Sequence, residues 1–585
     1  MKEQIASRPR GSSYTASSAF FESLWDAGVT HCFCNLGSDH PSVLEAIVHG
    51  QEEREGRFPR IITCPTEFVA MSMADGFARV TGKPQAVIVH VDVGTQALGC
   101  AVHNSSCGRT PVLIFAGLSP YTIEGETLGS RTEYIQWLQD VHNQKSIVEQ
   151  YFNRALSFAT SDPKGPVYLC AAREVLEANI DPYRIDQQHW SPIEPAALTS
   201  RAVEEISEAI SSAEKPLIVT GFSGKDLRAP AELVTLANSI KGLRVFDAGG
   251  SEMCFPADHP GWLGTGHGGH DSIREADVIL VLDCDVPWIP TRCKPKADAR
   301  IFHIDVDPLK QNMPVFYINA QRRFRADAYT AVTQLNEYIS TNASLKAILD
   351  SEKYAERWLH LQRNHKERLA VIEAAAQPSS DGYYGTAYLA NQLRKIVPDD
   401  TVFVVEAITN TALVADQIQA TIPGSWINCG GGGLGWSGGA ALGVKLASDH
   451  IGAKKFICQI VGDGSYLFSF PASVYWIAKR YSTPVLTIVL NNNGWNAPRN
   501  SLLLVRPDGP ASTVNNETLN ISFTPTPDYA GIAQAAGGGD LGIFRTYSAE
   551  ELPRKLADAV DFVSKGTSAV FDAQLGGPQG KFVPK

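Results

Sequence analysis

Residues 456–461 read Phe-Ile-Cys-Gln-Ile-Val and run straight into Gly462-Asp463-Gly464-Ser465; after a helical segment, a second apolar run at 485–490 ends in Asn491-Asn492-Asn493-Gly494-Trp495. Both runs are short, apolar and bounded by turn residues, as strands buried in a parallel sheet are. The pair puts a carboxylate and a carboxamide at the C-terminal ends of two parallel strands, the edge at which open α/β sheets bind ligands. A hard, oxygen-only donor set suits Mg²⁺ or Ca²⁺ bridging a diphosphate. The glycines allow backbone amides to approach the phosphates. Gly-Asp-Gly alone is a common turn, but the Asn-Asn pair opening 26 positions after Ser465 makes the combination far more specific.

Working outward, the chain has 585 residues, enough for about three or four domains. It is 44% hydrophobic and 19% charged, ordinary values for a chain that buries large cores, so a disordered or fibrous protein is excluded. The 51 basic and 62 acidic residues leave a net charge of −11 with no long run of one sign. That argues against nucleic acid and against an anionic membrane as partners. No apolar stretch approaches the ~20 residues that cross a bilayer. Residues 1–19 are polar and Ser-rich, without the apolar stretch of a secretory signal. Eleven cysteines are scattered without a CxxC pair or zinc spacing, which predicts reduced thiols and a cytoplasmic location.

Three blocks alternate short apolar runs with amphipathic stretches, the pattern of βαβ units, so the fold class is α/β with three doubly wound parallel-sheet domains. The first, 1–187, has strands expected at 60–64, 85–91 and 111–116 and a helix at 67–80 that Gly82 and Pro84 stop. A polar connection at 186–195 leads to a middle block, 188–375, with strands at 216–220, 277–283 and 300–305 and a closing helical stretch at 345–375. The third block, 376–585, has strands at 402–405, 454–461, 484–490, 543–546 and 568–573. The first and third blocks are alike in length and pattern, as two related sheets flanking a middle domain would be.

Gly462-Asp463-Gly464 with Asn491-Asn492 resembles the diphosphate-binding motif of thiamine diphosphate enzymes, and the match extends over nearly the whole chain in the order of the acetolactate synthase, pyruvate decarboxylase and benzoylformate decarboxylase superfamily. The resemblance implies a pyrimidine-binding, a middle and a diphosphate-binding domain, with thiamine diphosphate and Mg²⁺ as cofactors; FAD is possible in such proteins but not indicated here. It makes Asp463, Asn492 and the Gly494 carbonyl the metal ligands, with Asn491 as an alternative, because the Asp-to-Asn gap is about two residues longer than usual. It adds Glu406, Gly433, Gly462, Gly464 and Ser465 to the cofactor contacts. In Gly430-Gly431-Gly432-Gly433-Leu434-Gly435-Trp436, counting back from an expected helix at 440–447, Leu434 takes the place of the bulky apolar residue beneath the cofactor. Gly439 stands where the family usually has Pro.

In the first block, Thr66-Glu67-Phe68-Val69-Ala70 and Ala74-Asp75-Gly76-Phe77-Ala78-Arg79-Val80-Thr81-Gly82-Lys83-Pro84 resemble the family's HE…ADGYAR…TGKP signature, so Glu67 takes the role of the catalytic carboxylate. Partial desolvation among Phe and Val would raise its proton affinity and let it share a proton with N1′ of the aminopyrimidine. Asn35-Leu36-Gly37-Ser38 resembles the family's G-N-P-G-S loop, which matches Ser38 to a substrate-binding serine of the benzoylformate decarboxylase type. Val89-His90-Val91 matches the strand ending in that enzyme's catalytic histidine, a residue type suited to moving protons near neutral pH. His40 is a second candidate, expected to face solvent because it precedes a proline on a loop. Leu36, Thr66, Asp92 and Val93 depart from the pattern, and no histidine stands at 286–291. The loops 118–144, with Arg131, Glu133 and Trp137, and 493–522 are expected to shape the substrate pocket. Arg499 and Arg506 are candidates for a substrate carboxylate or for plain surface residues.

The implied activity is decarboxylation and/or carboligation of a small-molecule 2-keto acid through an enamine intermediate, in a homodimer or homotetramer with shared active sites. An acetolactate synthase-like carboligase, a 2-hydroxyacyl-CoA lyase and a catalytically silent regulatory homologue stay open as alternatives. The intact Glu67, Asp463 and Asn492 argue against the last.

Overall fold

The computed structural model describes residues 14–54, 56–141, 143–144, 155–182, 190–311, 313 and 315–577. The connection expected around 187–188 and most of the polar N-terminus lie outside these residues. The chain forms two compact units, one of residues up to Ile193 with Gly431–Gly433, the other of the remainder.

The first unit holds a five-stranded sheet: β1 (His31–Cys34), β2 (Arg60–Thr63), β3 (Gln85–Val89), β4 (Val112–Leu118) and β5 (Val167–Ala172), ordered β2-β1-β3-β4-β5. Every pairing is parallel. The register sets Cys34 beside Thr63 on one side and beside Ile88 on the other, so β2, β1 and β3 end at one edge. Glu67–Thr81 is a helix, as its apolar spacing predicts, and Phe68 through Ala78 are all buried. It stops at Gly82, whose φ of +65° forms a left-handed cap.

The second unit carries two six-stranded sheets. β6 (Pro216–Thr220), β7 (Arg244–Asp247), β8 (Trp262–Thr265), β9 (Val278–Leu282), β10 (Arg300–Asp305) and β11 (Arg322–Arg325) are ordered β11-β10-β9-β6-β7-β8. β12 (Val402–Glu406), β13 (Trp426–Asn428), β14 (Ile457–Gly462), β15 (Leu486–Asn491), β16 (Gly542–Thr546) and β17 (Ala569–Gln574) are ordered β13-β12-β14-β15-β17-β16. Strands inside each sheet are fully buried, as β6, β9 and β15 show, whereas the edge strand β11 alternates between half-buried and exposed. The α/β class with three parallel sheets is therefore observed. The two sheets of this unit are tied where Asn428 N donates to Ser251 O (2.8 Å) and Trp426 Nε1 to Gly250 O (3.0 Å).

Two expected helices differ in detail. The stretch expected at 345–375 is two helices, Ala343–Leu349 and Glu352–Ala375, because Ser351 takes an extended conformation and starts the second. The helix expected to begin at Ala440 begins at Trp436, so Gly439 lies inside it. The eleven cysteines form no disulfide. Among the described residues no helix is long and apolar enough to cross a membrane.

Candidate active site

Strand order brings the first group of side chains together. Asn35 follows β1, His90 follows β3, and Glu67 opens the helix after β2, so all three leave the sheet at one edge. Asn35 Nδ2 donates to Glu67 Oε1 at 2.9 Å, which holds the half-buried carboxylate and leaves Oε2 without a hydrogen bond among the described residues. His90 Nδ1 bonds to Asp39 Oδ1, and Asp39 Oδ2 accepts from Val91 N at 3.0 Å. The Asp39 hydrogen bond, the largest influence, raises the pKa of His90, and burial works against it. A Cβ at Gly37 would overlap the His90 ring, so only glycine lets the 36–40 loop run this close.

Ser38 is exposed at the tip of that loop, and its carbonyl accepts from Arg173 Nη1 at 3.2 Å. Arg173 is itself buried and also donates to the Gly129 carbonyl at 2.7 Å, so one guanidinium ties the Ser38 loop to the 118–144 loop. Within that loop Arg131 pairs with Asp140 and lies over the Trp137 ring, 5.0 Å from its centroid. The expectation for His40 is overturned. It is fully buried, Nδ1 accepts from Gly37 N at 3.1 Å, and burial lowers its pKa. The turn before Pro41 folds inward to deliver Asp39, and His40 goes with it.

Asp39 was not among the residues expected from sequence. An Asp on a Gly-Ser loop reads as an ordinary turn residue. Only the approach of β1 to β3 pairs it with a histidine 51 positions away.

The second group stands at the C-terminal edge of the third sheet, where Glu406 and Asn491 close β12 and β15 and Asp463 follows β14. β14 passes into the helix Asp463–Phe468 without an intervening residue. Asp463 is 2% exposed; its Oδ1 accepts from Gly464 N (2.8 Å) and its Oδ2 from Gly494 N (3.1 Å). Burial pushes its pKa up to about 7, with the surrounding amides pulling the other way. No cation pairs with it among the described residues.

Asn491 is committed elsewhere, since its Nδ2 donates to Asp572 Oδ1 at 2.8 Å and its Oδ1 accepts from Asn493 N at 3.2 Å. Asn492, the next residue, is half-buried. The backbone at Gly494 has φ +151° and bridges to Ser522. A buried carboxylate without a counter-charge, beside a carboxamide and a glycine turn, fits a hard divalent cation. Among the described residues no three His, Cys, Asp or Glu converge as a self-contained metal cage.

Gly462 starts the Asp463–Phe468 helix, and Gly464 and Ser465 are buried in its first turn. Gly433 and Leu434 lie in the turn before the helix Trp436–His450, whose N-cap Gly435 has φ +96°. Leu434 remains partly exposed. Glu406 is wholly buried, and its oxygens accept from Gly435 N (2.6 Å) and Ser437 N (2.8 Å), with burial raising its pKa to about 7. Both oxygens thus anchor the turn that presents Leu434. Arg499 donates to Val514 O at 2.7 Å, which ties it to its own loop, and Arg506 is exposed.

These are the features of a thiamine pyrophosphate enzyme. Family models for its N-terminal TPP binding domain, central domain and C-terminal TPP binding domain match residues 14–147, 203–335 and 407–573. The chain belongs to this family. It is 25% identical to the benzoylformate decarboxylase of Pseudomonas aeruginosa over 89% of this chain and 93% of that one. It is 22% identical to a probable acetolactate synthase large subunit of Methanocaldococcus jannaschii over 84% and 82% of the two chains. To the 2-hydroxyacyl-CoA lyase 2 of Bos taurus it is again 22% identical, over 88% and 84%. Among solved structures, the thiamine diphosphate-dependent 4-hydroxybenzoylformate decarboxylase of Rhodococcus jostii superposes with a TM-score of 0.72 at 22% identity, covering 97% of this chain and 100% of that one. That likeness concerns the fold.

Proposed function

We propose that this protein is a thiamine diphosphate- and Mg²⁺-dependent enzyme that decarboxylates a 2-keto acid and releases the aldehyde or joins it to a carbonyl acceptor. The observation that carries the reading is the cluster of Glu67, Asn35 and His90 at one sheet edge, with Glu67 Oε1 held by Asn35 at 2.9 Å. When bound, thiamine diphosphate supplies the carbanion that attacks the keto carbon and takes up the electrons left by CO₂. Glu67 Oε2 shares a proton with N1′ of the aminopyrimidine. His90 moves a proton to or from the reacting carbon's substituents, and the exposed Ser38 hydroxyl orients the substrate. Asp463, Asn492 and the Gly494 carbonyl hold the metal against the diphosphate. Leu434 supports the cofactor from a turn fixed by Glu406. His90 favours the decarboxylase type over the acetolactate synthase type, whose corresponding segment is usually a small-residue run.

The reading includes a shared site, in which Glu67 of one chain serves the cofactor held on Asp463 of another. It includes a cytoplasmic location, supported by eleven cysteines that form no disulfide. The test begins with cofactor content of the purified protein, followed by a panel of 2-keto acids scored for CO₂ and for acyloin. A protein that takes up no thiamine diphosphate in the presence of Mg²⁺ sinks the proposal. Mixing Glu67→Gln chains with Asp463→Ala chains should regain activity through one intact site per mixed dimer. Full activity in a monomer would rule out sharing.

A further inference from the structure

We infer that Asp39 is a positioning residue for His90, fixing the imidazole with its proton on Nδ1 and making Nε2 the atom that exchanges protons with the reacting group. The inference rests on the reading of His90 given above and extends it to a residue outside the family signature.

Asp39 is 2% exposed, and its two oxygens meet the same short segment, Oδ2 accepting from the backbone N of Val91 and Oδ1 facing the ring Nδ1 of His90. An ionised carboxylate can only accept, which is the ground for placing the hydrogen on the ring nitrogen that faces it. The seat is tight, because a Cβ at Gly117 would overlap Asp39 Oδ2 just as one at Gly37 would overlap the ring. One carboxylate therefore grips both the side chain and the main chain at the end of β3.

The neighbouring histidine does not compete. His40 Nδ1 lies 3.1 Å from Asp39 Oδ1, but it accepts from Gly37 N and so presents a lone pair. Burial lowers the pKa of His40, against the opposing pull of Asp39. The charge of Asp39 is left to His90. The groups facing the ring are Asp39 and Glu67, both of which favour its protonated form, His40, and the side chain of Gln139. His90 thus enters the reaction as an acid more readily than an ordinary histidine, delivering its proton from Nε2 while Nδ1–H stays on Asp39.

A purely structural Asp39, an anchor for the Val91 amide, makes a different prediction. In Asp39→Asn the amide oxygen can still accept from Val91 N, while the amide nitrogen now donates toward His90 Nδ1. The loop is kept and the tautomer is reversed. Histidine-¹⁵N NMR of the full chain, with the His90 signal assigned by its loss in His90→Gln, reads this directly. The unsubstituted protein should show Nδ1–H, and Asp39→Asn should show Nε2–H with a lower pKa. Turnover on the best 2-keto acid should fall about 10²–10⁴-fold with KM and thiamine diphosphate affinity near unchanged. Asp39→Glu should recover part of the loss. If Asp39→Asn fails to fold, Asp39→Ser reads the same pKa change. An Nε2–H tautomer in the unsubstituted protein, or an unaltered His90 titration in the folded variant, overturns the inference. Both measurements need no substrate, so a protein without thiamine diphosphate affinity would defeat the proposed function while leaving the Asp39–His90 result to stand or fall separately.

Discussion

Asn491 and Asp572 are hydrogen-bonded on the neighbouring strands β15 and β17, and Arg545 Nε reaches the other Asp572 oxygen at 2.9 Å. The first asparagine of the Asn-Asn pair thus works inside the sheet, and the second is the one proposed for the metal. Asn491→Ala should cost about 1–3 kcal/mol of stability, because a buried acceptor loses its donor. Asn492→Ala should leave the metal-free unfolding midpoint unchanged and weaken Mg²⁺-dependent cofactor binding. Urea unfolding and calorimetric titration separate the two, and the opposite pattern would exchange the roles.

Glu67→Gln should bind thiamine diphosphate nearly as well as the unsubstituted protein but exchange the cofactor C2 proton far more slowly, because an amide does not share the N1′ proton. Asn35→Ala should give a milder form of the same defect, since it frees Oε1 without removing the carboxylate. Quenched-flow NMR of C2–H exchange measures both. An unaltered rate in Glu67→Gln would remove Glu67 from the chemistry.

Gly37→Ala drives a methyl group into the His90 ring. The ring must leave its place, so turnover should fall by an amount close to that of His90→Ala, about 10²–10⁴-fold if His90 moves a proton in the chemical step. Cofactor affinity should hold. Full activity in Gly37→Ala would mean that the ring position is not critical.

The buried Glu406 gives a pH signature. Its pKa rises from 4.5 unfolded to about 7 folded through burial, so between those values the folded chain keeps a proton that the unfolded chain has released. Stability therefore falls as pH rises through that window, by roughly 3 kcal/mol from this group at most. Asp463 and Asp247, each also raised to about 7 by burial, add in the same direction. Cofactor-free Glu406→Gln should show a shallower decline of urea midpoint between pH 5 and about 8. An identical slope would contradict the assignment.

Much of this was legible in the chain because central strands of parallel sheets are apolar runs. β3, β6, β9, β12, β14 and β15 fall within or beside the stretches expected. Those overlooked have reasons. β1 reads His-Cys-Phe-Cys, without β-branched residues, although all four are buried. β11 reads Arg-Arg-Phe-Arg because an edge strand tolerates charge on its open side. Asp463 and the Asn491-Asn492 pair stood out because they follow strand ends, and Glu67 was proposed from its likeness to the family signature. Asp39, and the inward turn of His40, depend on which loop lies over which strand, and local pattern carries no trace of that.

The 493–522 excursion is closed at its base, where Gly494 bridges to Ser522 and Trp495 N donates to Ile521 O at 2.8 Å. β14, by contrast, enters the Asp463 helix with no residue to spare. An inserted residue between Gly462 and Asp463 would rotate the carboxylate away from Gly494, whereas length added beyond the Gly494–Ser522 closure changes nothing below it. A library confined to 496–520 therefore tests whether the excursion shapes the substrate pocket, as proposed, while leaving the Asp463 turn in place.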